Sequence, residues 1–109
     1  GLTHRELVMS AYIASFHRKN KSYENFETYK LLLDERDIEI IKAVSVLLRI
    51  AESLDKSMSS VVSDLYCEIE KDKVLIKISA KEYPELEIND AITAYSQFKK
   101  VFKRSMVII

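Results

Sequence analysis

The apolar positions follow a helical period in three stretches and alternate in a fourth. Thr3 with Glu6 three residues later is a capping-box signature, and it opens a helix over His4 to Arg18. At about 100° per residue, Leu7, Ala11 and Ala14 share one side, Val8 and Tyr12 the next, and Met9, Ile13 and Phe16 a third. Ser10 and His17 form a narrow polar strip, with only Ser15 and Arg18 besides. A helix apolar nearly all round belongs inside a structure. Residues 20–33 read as a connection. Within it Tyr23, Phe26 and Tyr29 recur at threes, without the interleaved basic residues of a base-stacking surface. Asp34, with Asp37 as its capping-box partner, starts a second helix that runs to Leu54. Ile40, Val44, Leu47, Ala51 and Leu54 repeat at four, three, four and three, which predicts its core stripe. Ile41, Val46, Leu48 and Ile50 widen that stripe.

From Val61 the period becomes two. Leu65, Cys67 and Ile69 alternate with Tyr66, Glu68 and Glu70, and after "EKDK" Val74, Ile76, Ile78 and Ala80 alternate with Leu75, Lys77 and Ser79. This predicts an antiparallel hairpin with one buried face, and places Cys67 inward as a small hydrophobe rather than a reactive thiol. Pro84 marks a turn before a short strand, Leu86 to Ile88. Asn89 caps a third helix with Ala91, Tyr95, Phe98 and Phe102 on its core face, and "MVII" suits a last strand. The predicted fold is α+β: a helical hairpin over residues 1–58, then a small antiparallel β-β-β-α-β unit over 59–109. Two helices cannot cover a helix that is apolar on three sides. At ~0.8 kcal/mol per exposed CH₂, leaving Met9, Ile13 and Phe16 in water costs several kcal/mol, comparable with a domain's whole stability. Further helix partners are therefore expected, from more of a parent chain or from a second copy.

Composition narrows the chemistry. Seventeen basic and seventeen acidic residues cancel, so no global field favours nucleic acid or a membrane, and any anion site is a local patch. The apolar runs are too short to span a bilayer. One cysteine in 109 residues excludes a disulfide framework and a thiolate zinc cluster, and suits a reducing cytoplasm. The single glycine, Gly1, is the more telling count. Walker loops, dinucleotide fingerprints and serine elbows all need glycines, so none of them is present.

Three blocks, "GLTHRELVMSAYIASFHRKN", "IKAVSVLLRIAESLDKSMSSVV" and "FKKVFKR", resemble in order the C-terminal region of the exopolyphosphatase / guanosine pentaphosphate phosphatase family. That family shows Gly-Phe-Ser-x-Arg-Glu, an apolar run into Tyr-His-Arg, Leu-Leu-Arg-Leu-Ala-Asp-x-Leu-Asp-Arg-Ser, and a closing Phe-x-x-Val-Phe-Gly. The chain departs from it at Glu52 and Lys56, where the family has Asp and Arg. The resemblance implies the second half of a helical domain related to the His-Asp (HD) metal phosphohydrolases, followed by a small α/β domain. It implies an actin-like catalytic region upstream, which holds the phosphate-binding loops and a Mg²⁺-type ion. In these residues it implies no cofactor and no catalytic group. The implied partners are the parent chain's catalytic domains, a second copy as a homodimer, and polyphosphate or a related phosphate anion.

HD-type domains supply a late histidine and a late aspartate to a metal, which in this sequence points to His17 with Glu52 or Asp55. Arg49, Glu52 and Asp55 are spaced by threes and share one helix face. His4 lies roughly 20 Å from His17 along the first helix, and Arg18 disfavours a cation beside it. A bound metal therefore lacks ligands. Two readings remain: a polar cluster of His17, Arg49, Glu52 and Asp55 locking helix to helix, or an anion site formed by His17, Arg18, Lys19 and Lys21. A second basic arc, Lys99, Lys100, Lys103 and Arg104, lies opposite the apolar face of the third helix. It could follow a linear polyanion, or be a solvated face suited to a helix end. Three functions are consistent with these features: a polyanion-binding, dimerising accessory region of an exopolyphosphatase-like or pppGpp-hydrolysing enzyme, an autonomous HD-type phosphohydrolase, or a structural oligomerisation module.

Overall fold

The computed structural model describes residues 1–16 and 32–109. The expectations for His17, Arg18, Lys19, Lys21, Tyr23, Phe26 and Tyr29 lie outside the described residues. The fold is α+β, with helices α1 (His4–Phe16) and α2 (Glu35–Leu54), strands β1 (Val62–Ile69) and β2 (Lys73–Ala80), helices α3 (Glu85–Ile92) and α4 (Tyr95–Phe102), and strand β3 (Ser105–Ile108).

Two of the three predicted caps are formed; Asn89, expected to start a third helix, lies inside α3, which begins after Pro84. Thr3 Oγ1 accepts from the Glu6 amide at 3.1 Å, and the Glu6 carboxylate accepts from the Thr3 hydroxyl at 2.9 Å. The Asp37 amide donates to Asp34 at 2.8 Å and the Asp34 amide to Asp37 at 3.1 Å, which satisfies two donors that the helix itself leaves open. Asp37 is buried, with the Arg5 guanidinium 3.8 Å away, so α1 also clamps the start of α2.

The sheet has the order β1-β2-β3. β1 and β2 form the predicted hairpin, from Val62 opposite Ala80 to Ile69 opposite Val74. β3 pairs with β2 in parallel, from Lys73 opposite Ser105 to Ile76 opposite Ile108, so the sheet is mixed. A parallel return needs a crossover long enough to carry the chain back along the sheet, and α3 and α4 supply it. The predicted strand at Leu86–Ile88 is instead part of α3. Its buried positions Glu87, Ala91, Ala94 and Phe98 fall at spacings of four, three and four, one helical face that continues into α4 across the break at Thr93. A carboxylate on that face disguised it. Glu87 is buried and accepts the Ser57 amide at 3.0 Å.

The main core joins the sheet to the second half of α2: Val46, Ile50 and Leu54 meet Val74, Ile76, Ala91, Ala94, Phe98 and Met106. A smaller cluster joins α1 to the first half of α2 through Val8, Phe16, Leu33 and Ile41, with Met9, Tyr12 and Ile13 packed against it. α2 therefore belongs to both.

Three burial expectations are corrected. Ile40, Val44, Leu47 and Ala51, read as the core stripe of α2, are exposed, because α1 and the sheet unit flank that stripe on either side. Cys67 is exposed, not buried. Its strand parity was right, since it pairs with Ile76, but β1 is an edge strand, and Leu65 and Ile69 on the same expected buried face are exposed as well. Tyr95 is also exposed; its hydroxyl donates to Ser105 Oγ at 3.3 Å.

Candidate anion-binding groove

Arg49 sets the alignment of α2 on the crossover helices. Its guanidinium donates to Gln97 Oε1 at 2.6 Å, to the Thr93 carbonyl at 3.0 Å and to the Thr93 hydroxyl at 3.2 Å. These bonds brace the α3–α4 junction, where the Thr93 hydroxyl also donates to the Asp90 carbonyl at 2.6 Å. Arg49 thus reaches forward to α4. Glu52 and Asp55, which share its predicted cluster, are exposed, and His17 lies outside the described residues.

α4 runs antiparallel to α2, so two turns before Arg49 the facing residues are those at the end of α4. There the two helices leave an open groove of about 590 Å³, lined by Glu39, Lys42 and Ala43 of α2 and by Lys100, Val101, Phe102 and Lys103. Three lysines from two elements line this space together with one glutamate. Lys100 and Lys103 are exposed and Lys42 half-buried. Val101 and Phe102 form an apolar floor, and lysine stems lie readily along such surface with their charges towards water.

Lys103 is held there by an unusual turn. It ends α4 in the left-handed region at φ 57°, and its amide donates to the Lys99 carbonyl at 2.9 Å. Glycine is the usual residue at this position, and a side chain in this conformation costs roughly 1–2 kcal/mol.

The predicted arc of four cations is divided by the fold. Lys100 and Lys103 reach the groove. Lys99 is exposed on α4 outside its lining. Arg104 turns to the hairpin, donating from Nε to the Glu70 carbonyl at 3.0 Å and from Nη1 to the Phe102 carbonyl at 3.4 Å. Lys42, on the facing wall, was missed. The signal was present: it stands seven residues before Arg49, hence on the same face of α2.

No three His, Cys, Asp or Glu side chains converge among the described residues. Among the described residues no helix is long and apolar enough to cross a membrane. No family model, curated protein or solved structure matches the chain.

Proposed function

We propose that this chain is a non-catalytic accessory region of an exopolyphosphatase-like hydrolase of polyphosphate or pppGpp, and that it binds a linear phosphate polyanion and dimerises. The observation that supports the anion role is the convergence of Lys42, Lys100 and Lys103 on one groove. Lysine ammonium groups act as point charges, suited to a repeating phosphate chain that shows no particular face. The order of the three sequence blocks and the lack of phosphate-cradling glycines agree with a catalytic centre supplied by other residues of a parent protein.

Titration with long-chain polyphosphate, followed by calorimetry, tests the reading. Three lysine–phosphate contacts imply that affinity falls roughly 10- to 50-fold between about 50 and about 200 mM salt. Lys100→Glu with Lys103→Glu should abolish measurable binding, Glu39→Gln should tighten it, and Lys99→Glu should have the smallest effect. Equal losses at Lys99 and Lys103 would replace the groove by a diffuse basic arc, and unchanged binding in the double variant would remove the proposal. Stoichiometric metal with phosphatase activity in the purified chain would favour the HD-type hydrolase.

A further inference from the structure

The exposed stripe of α2 maps onto itself when the helix is reversed about the midpoint between Ser45 and Val46. Ile40 exchanges with Ala51, Val44 with Leu47 and Arg36 with Asp55. Ile40, Val44 and Leu47 are 41%, 40% and 50% exposed, and Leu48 flanks them at 38%. Arg36, Ala51 and Asp55 are also exposed. The stripe is fully formed helix, bounded on one side by the α1 contact at Ile41 and on the other by Leu54 in the main core.

We propose that α2 packs antiparallel against α2 of a second copy of this chain, about a two-fold axis at Val44 and Leu47. An isologous interface sets each residue against its image position. The branched Ile40 then meets the small Ala51, Val44 meets Leu47 next to the axis, and Arg36 meets Asp55 at both ends. The charges select this orientation. Arg36 in the first turn and Asp55 at the C-cap each oppose the dipole of their own helix, whose first turn otherwise carries Glu35 and Asp37 and whose last turn has no basic residue. Neither makes an ion pair within the chain among the described residues. In the antiparallel pair each lies beside an opposite charge and near the partner helix end of favourable sign. A parallel pair would set Arg36 beside Arg36.

The proposal rests on the dimerisation part of the functional reading and not on the groove. Lys42 and Val44 point roughly 160° apart around α2, so the two sites are separately accessible. One stripe along a twenty-residue helix is at or below the low end of the roughly 1,200–2,000 Å² that stable interfaces bury, so the dimer should dissociate on dilution.

Sedimentation equilibrium of the full 109-residue chain, in a Cys67→Ser background that rules out disulfide linkage, tests this. A monomer–dimer equilibrium is expected, and Leu47→Glu should weaken it by at least about tenfold with the circular dichroism unchanged. Arg36→Asp and Asp55→Arg should each weaken the dimer, and the two together should restore it. The groove variant Lys100→Glu/Lys103→Glu should dimerise normally. A monomer at every concentration overturns the proposal and leaves the stripe to residues 17–31 or to another protein. So does a dimer indifferent to Leu47→Glu, or a double charge swap no better than either single change.

Discussion

The second half of α2 contributes Val46, Ile50 and Leu54 to a core enclosed by β2, β3, α3 and α4, whereas its first half contributes Ile41 to a cluster with Val8, Phe16 and Leu33. Propensity does not separate the two halves, since one unbroken, well-capped helix runs through both. What differs is the number of layers within reach. The sheet unit presents a strand face and two crossover helices, so α2 is covered from several directions. Among the described residues its other end packs on α1 and meets the end of α4 only across an open groove, and Leu7, Ile40 and Val44 stay exposed. Apolar pattern therefore measures how much surface a helix has to bury, and topology decides how much of it is buried within one chain.

The difference can be broken from either end. Phe98→Ala removes the largest side chain at the centre of the main core, and should cost about 3–5 kcal/mol in urea unfolding, with loss of the sheet signal. Ile41→Ala should cost about 2–5 kcal/mol by the same mechanism, but its effect should be local. Hydrogen exchange is expected to quicken in α1 and the first turns of α2 while β2 and α4 stay protected. Equal loss of protection throughout would show a single cooperative core instead of two.

Glu87 tests the main core through pH. The Ser57 hydrogen bonds hold its carboxyl below the ordinary 4.5, more strongly than burial raises it. Between the folded and unfolded values the unfolded chain binds more protons than the native one. The stabilisation from Glu87 is therefore complete above about 4.5 and is lost as pH falls through the lower folded value. Glu87→Gln should flatten the acid limb of a stability–pH curve; an unchanged limb would place the acid sensitivity elsewhere.

The smallest effect is expected where neither core is touched. Met58 is 85% exposed at φ 56°, in the link between α2 and β1. Met58→Gly should raise stability by up to about 1 kcal/mol, because relief of left-handed strain exceeds the entropy that glycine adds to the unfolded chain. Lys103→Gly should do the same while weakening polyphosphate binding, which separates the conformational role of that lysine from its charge.

Much of the local structure was legible. Thr3–Glu6 and Asp34–Asp37 marked two helix starts through side-chain chemistry that acts within one turn. The alternation from Leu65 to Ala80 marked the hairpin and the correct parity of its strands. Leu86 and Ile88 were misread as a strand because the helical face they interrupt begins with Glu87, whose burial depends on the Ser57 amide thirty residues away. The candidate groove was half legible. Lys100 and Lys103 were visible as a cationic helix end, but Lys42 entered only once α2 and α4 were seen to lie antiparallel.

The order and type of most elements, the caps of α1 and α2 and the side of each strand that carries apolar residues were determined by the sequence alone, because these depend on neighbours a few positions apart. Tertiary structure decided which face of α2 is covered, that the edge strand β1 is left exposed with Cys67 on it, that β3 returns parallel, and that Lys42 faces Lys100. A periodic pattern specifies directions around a helix or across a strand, but not what lies in each direction. That depends on where distant segments pack, and it left the most regular apolar stripe of this chain on its surface.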